Sequence, residues 1–567
     1  VTGAQALLQG WPGLLSAYGA VQVPMLAGML RARAPWPRLL VSPIAAAPLT
    51  AALGAGMALA APMLSGIGMS QVIAGVGAGV AIGYAAGRVL GHRGGGGAIH
   101  QRGALVEEAA VARTRVRVPG RQHDAQRGHV SVAGVPLTLE DEMKHFKFIG
   151  TTGTGKSTAI HQVLEAALRR GDRAVIADPD GGYLRRFYRP ARGDVILNPF
   201  DPASARWDLF AEIHDAYDVE QLARSLIPDH EGADRSWRGY ARTFFSAVTS
   251  QAHAAGSRDV RDLYRLLVVA GTQELKTLVA GTPAQPFLEE HNGRMFDSIR
   301  SVTASAVGAL DYVAQQTSSP LSVRQWIRGG DARRGGVLFM PYRAGQVAAL
   351  RSTISAWMRL AIFEAMERPE GDQRLWFVVD ELDALGQIDG LKDALARLRK
   401  FGGRCVLGFQ SVAQVSSTYG HGEGQTIVEN CGNTLILRCS GSEHGGTSQF
   451  ASRLIGEREV LRLSTSHSRR ASELFSSVTR AEHLSVESAV MAAQIEQLPD
   501  LAGYLKIASQ PQWRRVALQP MTRNAQPAAC EPTVAMRLSL PGPGRTPAPA
   551  VGATLASEGA EAGPGPS

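Results

Sequence analysis

The stretch Gly150-Thr151-Thr152-Gly153-Thr154-Gly155-Lys156-Ser157 satisfies the pattern G-x-x-x-x-G-K-[ST] in full. No other feature narrows the fold as much, because such a loop works only between a strand and a helix. Both flanks fit: His145–Ile149 alternates as a strand does, and Ala159–Arg169 carries the apolar spacing of an amphipathic helix. Glycines let the loop turn its backbone N–H groups inward around phosphates, and the following helix adds its positive end. Gly150, Thr151, Thr152, Gly153, Thr154, Gly155, Lys156, Ser157 and Thr158 are therefore expected to hold a nucleotide. Lys156 would reach the β- and γ-phosphates, and the Ser157 hydroxyl would bind Mg²⁺, so the expected ligands are ATP and Mg²⁺.

Such a loop needs an acid-bearing strand, and Leu375-Trp-Phe-Val-Val-Asp380-Glu381 supplies one. Its unbroken apolar run suits a strand buried on both faces. Asp380 would hold the Mg²⁺ shell through water, and Glu381 would activate the attacking water as general base. A further strand from Cys405 ends in Gln410-Ser411, where a polar side chain can sense the γ-phosphate. Between these strands the helix Leu391–Phe401 ends in Arg397, Arg399 and Lys400. One of them is a candidate arginine finger supplied to a neighbouring subunit; basic residues also simply favour a helix C-terminus. Strand-like runs at Ala174–Asp178, Val195–Asn198, Val337–Tyr342 and Asn433–Cys439, alternating with helices, predict a doubly wound, mostly parallel α/β sheet. From Trp207 to about Trp326 the sheet signals fade, and an inserted all-α domain is expected over 207–326. In it Trp237, Arg238, Tyr240 and Arg242 alternate aromatic and basic groups, a pattern that serves either single-stranded nucleic acid or ordinary helix packing.

The 567 residues exceed what one core organises, and 45% hydrophobic with 19% charged residues excludes a disordered chain. Four cysteines without a CxxC pair exclude a disulfide scaffold and give no zinc-site spacing. The net charge of +9 is uneven. Residues 1–100 hold five arginines and no other charged side chain, and residues 101–150 hold eight basic and six acidic ones. The remainder is nearly neutral, so the charge is not a footprint of nucleic acid on the motor region. Leu39–Gly87 is free of charge for 49 residues. Two spans of about 20 residues fit there, over about 39–64 and 72–90. Gly75, Gly79 and Gly83 allow close helix approach. Arginines on both flanks predict cytoplasmic ends. A buried Ala/Gly-rich helical pair is the alternative. The expected organisation is an anchor over 1–92, a linker over 93–130, a motor over 131–206 and 327–520 around the insert, and a Pro/Gly-rich disordered tail over 521–567.

The strings ADPDGGYLRRFY, GDVILNPFD, RWDLFAEI, LWFVVDELDAL and LARLRKFGGRCVLGFQSVAQ follow the P-loop in order. Together they resemble the type IV secretion coupling proteins, the TraD-type conjugative ATPases, over roughly 130–515. The resemblance implies a RecA-like motor with a membrane anchor, a helical insert and a homohexameric ring in the bacterial inner membrane, with N-terminus and motor cytoplasmic. It implies recruitment of relaxase-bound single-stranded DNA, with double-stranded DNA as a further form, to a secretion channel. Lys156, Ser157, Asp380 and Glu381 match the family's nucleotide residues, Gln410 its third-strand glutamine, and Arg399 its proposed finger. The chain departs from the family in its very short link between the two expected spans and in lacking an acidic tail. A septal-type DNA translocase and a non-hydrolysing, nucleotide-dependent receptor are the alternatives.

Overall fold

The computed structural model describes residues 11–32, 34, 36–60, 68–91, 99–108, 129–229, 235–329, 336–369, 374–442, 445–468 and 477–520. Most of the expected linker (109–128) and the expected tail (521–567) lie outside them. Two compact units result: Val1–Gly103 with Glu457–Ser488, and Ala104–Gly456 with Ala489–Ser567.

The first unit holds three helices, α1 (Trp11–Arg31), α2 (Trp36–Ala60) and α3 (Gly68–Gly91). The expected two-helix hairpin is corrected in two respects. First, the glycine-bearing α3 docks on α1, a third helix that precedes the expected pair and runs through Pro24. A Cβ at Gly83 would stand 2.3 Å from the Val21 carbonyl oxygen, and one at Gly87 2.0 Å from that of Met25. On the facing helix a Cβ at Gly28 would stand 2.5 Å from the Tyr84 oxygen. Four-residue glycine spacing specifies a close approach but not its partner. Second, among the described residues no helix is long and apolar enough to cross a membrane. The outward faces of these helices are nonetheless apolar, and their interior, formed by Val21, Met25, Met29 and Ala46, also holds a polar pair. Gln22 donates to the Ser42 hydroxyl at 2.9 Å in the interior, while Leu40, Val41, Ile44, Val76 and Val89 face outward.

The same unit contains a three-stranded antiparallel sheet of Ile99–Gly103, Glu457–Ser468 and Ser477–Ser488. The sequence reading left the latter two strands inside the motor region. Their apolar alternation is short, Leu461 with Leu463 and Leu484 with Val486, and lies among Ser, Thr and charged residues, which weakens the strand signal. The first strand falls in the stretch read as linker.

The second unit is built on a ten-stranded sheet among the described residues. In chain order its elements are β1 (Val106–Glu108), β2 (Phe146–Ile149), α4 (Lys156–Arg169), β3 (Arg173–Pro179), α5 (Gly182–Phe187) and β4 (Val195–Ile196). Then come the helices α6 (Ala216–Leu226), α7 (Arg235–Ala254) and α8 (Gly293–Val307). The chain returns through β5 (Val337–Tyr342), α9 (Val347–Met366), β6 (Leu375–Val379), α10 (Leu391–Leu398), β7 (Gly403–Phe409) and β8 (Asn433–Ile436). It closes with β9 (Ala502–Lys506) and β10 (Trp513–Ala517). The strand order is β1-β10-β9-β8-β2-β7-β6-β3-β5-β4. Seven strands from β8 to β4 are parallel, and β9 and β10 add antiparallel pairings. The parallel strands are covered on both faces. Leu375, Phe377 and Val379 of β6 enter one core with the helical segment, while Trp376 and Val378 enter the other with α4.

The helical segment leaves and rejoins the sheet through a neck of paired strands, and its helix α6 also packs on α9. Arg206–Trp207 pairs in parallel with Pro320–Leu321. Beside it the buried Glu212 accepts hydrogen bonds from Trp207 Nε1 at 2.9 Å, the Val323 N–H at 2.6 Å and the Ser322 hydroxyl at 3.0 Å. One carboxylate thus ties the outgoing and returning chains together.

Candidate nucleotide-binding site

Parallel strands deliver their carboxyl ends to one edge, and the site assembles there. β2 lies between β7 and β8, and β7 separates it from the acid strand β6. The P-loop is fixed on both sides: Gly150 N–H donates to the Phe409 oxygen at 3.3 Å, and Thr151 N–H to the Arg438 oxygen at 2.9 Å. Gly153 and Gly155 have φ of 79° and 115°, which an L side chain adopts only at a cost. Gly155 leads directly into α4, and Leu501 closes over it, its N–H bonded to the Thr154 oxygen at 2.9 Å.

Lys156, Ser157, Asp380, Glu381 and Gln410 meet, with Thr151, Thr152, Gly153, Gly155 and Thr158, around a cleft of about 210 Å³. The Lys156 ammonium folds back onto the Gly150 oxygen at 2.6 Å. Burial pulls it below its ordinary pKa, while Asp380 and Glu381 pull it the other way. The Ser157 hydroxyl donates to Asp380 Oδ2 at 2.6 Å. Gln410 Nε2 donates to Glu381 Oε1 at 3.0 Å, and its amide oxygen accepts from the Thr152 hydroxyl at 2.9 Å. Burial first, and then Asp380, pushes the Glu381 carboxyl above the usual carboxylate range. Asp380 Oδ1 is buried and has no hydrogen-bond partner among the described residues. An orphaned carboxylate oxygen beside a hydroxyl is an oxygen donor set of the kind Mg²⁺ takes, so these residues fit that ion.

Several residues of the site escaped the sequence reading. Asp178, at the end of β3, accepts from the Tyr183 and Leu184 N–H groups at 3.0 and 2.7 Å. Burial pushes its carboxyl up to about 7. The Tyr183 hydroxyl then reaches Asp380 Oδ2 at 2.8 Å. Gly408 permits β7 to approach β6, since a Cβ there would stand 2.2 Å from the Asp380 oxygen. The DPDGGY string announced a strand end and a turn; nothing in it indicated a contact 197 residues away.

Arg399 is not part of this cleft. It sits exposed on a short 3-10 turn before β7, near His145 at the amino ends of the strands. A seven-residue strand separates the two edges by about 20 Å. Trp237 and Arg238 line a larger groove of about 990 Å³ between the helical segment, α9 and the loop 383–387. Arg242 is paired with Asp229 at 2.5 Å, and Trp237 packs edge-on against Tyr240. The groove is larger than the P-loop cleft but lacks its phosphate-binding loop, so the cleft is the nucleotide candidate.

Fold and cleft together define a P-loop nucleotide-binding protein with a RecA-like sheet. A sequence model described as the type IV secretion-system coupling protein DNA-binding domain matches residues 129–519. The chain belongs to this family of type IV secretion-system coupling proteins. It is similar to the coupling protein TraD of Escherichia coli strain K12, 30% identical over 404 residues, 70% of this chain and 56% of that protein. The plasmid coupling protein TrwB in complex with ADP and Mg²⁺ superposes with a TM-score of 0.64 at 30% identity, covering 76% of this chain and 96% of that one. TrwB with the non-hydrolysable ATP analogue ADPNP gives the same TM-score and identity over 77% and 98%. The chain spans between 56% and 59% of the length of the curated relatives it matches.

Proposed function

We propose that this chain is the ATP-driven coupling motor of conjugative DNA transfer, passing relaxase-bound DNA to a type IV secretion channel as a homohexamer at the bacterial inner membrane. The observation that carries the reading is the convergence of Lys156, Ser157, Asp380, Glu381 and Gln410 on one cleft in a chain of the coupling-protein family. Lys156 leaves the Gly150 oxygen and gives its charge to the phosphates. The Ser157 hydroxyl and, through water, Asp380 hold Mg²⁺, which when bound neutralises developing charge on the phosphate oxygens. Glu381 takes a proton from the attacking water, and Gln410 orients Glu381 through its amide N–H. Arg399 serves the neighbouring subunit's phosphates, since it stands at the far edge from its own. The helical segment 207–326 is the inserted domain within a motor of 131–206 and 327–520. Membrane association of the first unit is supported by its outward Leu, Val and Ile side chains and buried Gln22–Ser42 pair.

Full-length protein recovered from the inner-membrane fraction is expected to hydrolyse ATP, faster with DNA. Lys156→Ala or Glu381→Gln should lower that rate at least about a hundredfold. Hydrolysis unchanged by both variants would sink the motor reading, and recovery only in the soluble fraction would sink the membrane part. DNA transfer that survives Glu381→Gln would favour the non-hydrolysing receptor.

A further inference from the structure

We propose that Tyr183 is a positioning residue for the metal shell: with Ser157 it ties down one oxygen of Asp380 and so turns the other toward Mg²⁺. The inference rests on the nucleotide reading above and extends it to a residue to which the sequence motifs assign no role.

A carboxylate on an sp³–sp² torsion has a broad rotational well, so its orientation must come from its partners. Asp380 has two, and both act on the same atom. Oδ2 accepts the Ser157 hydroxyl at 2.6 Å and the Tyr183 hydroxyl at 2.8 Å. Oδ1 is left buried without a partner among the described residues. That asymmetry is what a carboxylate acting through metal-bound water requires, with one oxygen immobilised and one available. A phenol has a single O–H to donate, and here it is committed to Asp380.

Tyr183 is itself held from two directions. Its ring packs at a tilt, with centroids 4.6 Å apart, against His161, one helical turn beyond Ser157 on the same face of α4. Its backbone N–H is fixed by Asp178, whose other oxygen holds Leu184. The tyrosine therefore spans three segments of the site: the P-loop helix, the end of β3 and the acid strand.

Tyr183→Phe removes the hydroxyl and leaves the ring contact with His161. The full chain is titrated with a fluorescent ATP analogue, once in EDTA and once in Mg²⁺. The variant is expected to bind as wild type in EDTA and to lose about tenfold of the enhancement that Mg²⁺ confers. An enhancement equal to wild type overturns the inference. So does an equal fall in both affinities, which would mark a packing role. Lys156→Ala is measured alongside. If it binds as wild type, or if wild type shows no Mg²⁺ enhancement, the nucleotide reading itself fails and the inference with it. A normal wild type with a normal Tyr183→Phe removes the inference alone.

Discussion

Thr152, Gln410 and Glu381 form a relay of two hydrogen bonds from the P-loop to the acid. Lys156, Ser157, Asp380 and Glu381 were legible because each belongs to a short motif with its own chemistry. Gln410 was legible only through its order after the acid strand, and its bond to Thr152 was not legible at all. Asp178 and Tyr183 stayed hidden because their roles depend on a contact between distant strands. His145 is a similar case. It reads as the first residue of a strand but has a φ of 56° just before β2. Its Nε2–H donates to the Leu395 oxygen at 2.9 Å, and its Nδ1 accepts from the Cys405 N–H at 3.1 Å, a pattern only the neutral ring satisfies. Burial, with Arg399 and Arg404 nearby, pulls its pKa down to about 4. Unfolded histidine titrates near 6.5, so the stability this neutral ring contributes is complete above that value. It is lost as pH falls toward 4. Against a His145→Asn variant, which tolerates the same backbone, wild type should lose up to about 3 kcal/mol between pH 7 and 4 in denaturant unfolding.

Among elements, the glycine helix α3 makes the sharpest test of packing. Gly87 faces the backbone of α1 at a distance no Cβ tolerates, whereas Gly77 on the same helix meets nothing within 4 Å. Gly87→Ala should therefore loosen α1 from α3, at a cost of about 1–3 kcal/mol, and speed limited proteolysis of this unit. Gly77→Ala should leave the cleavage rate as it was. Equal rates for the two would refute the packing. The sheet elements were legible where residues run apolar for several positions, as in β5, β6 and β7. The strands Glu457–Ser468 and Ser477–Ser488 were not, since their few apolar residues lie among Ser, Thr and charged ones and their register shows only once they pair. The helix α1 carries Pro12 in its first turn and Pro24 in its interior, and it continues through both.

On the scale of the whole molecule, the placing of Arg399 sets a requirement. An arginine about 20 Å from its own phosphates can stabilise hydrolysis only on another copy of the chain. Arg399→Ala subunits keep an intact cleft, and Glu381→Gln subunits keep an intact arginine. Each alone should be nearly inactive, and a mixture should recover part of the wild-type hydrolysis rate. A mixture no more active than the better component would exclude catalysis in trans.

The neck of the helical segment gives the molecule a mechanical character. The strand Arg206–Trp207 runs out into the segment, and Pro320–Leu321 runs back beside it in the same direction. Tension on the segment therefore pulls the two strands from opposite ends and loads their hydrogen bonds together, in shear, instead of peeling them one at a time. Glu212 grips both strands' continuations at that point. A pull along the chain at this point would thus load the β4–β5 edge of the sheet, in parallel with the packing of α6 on α9.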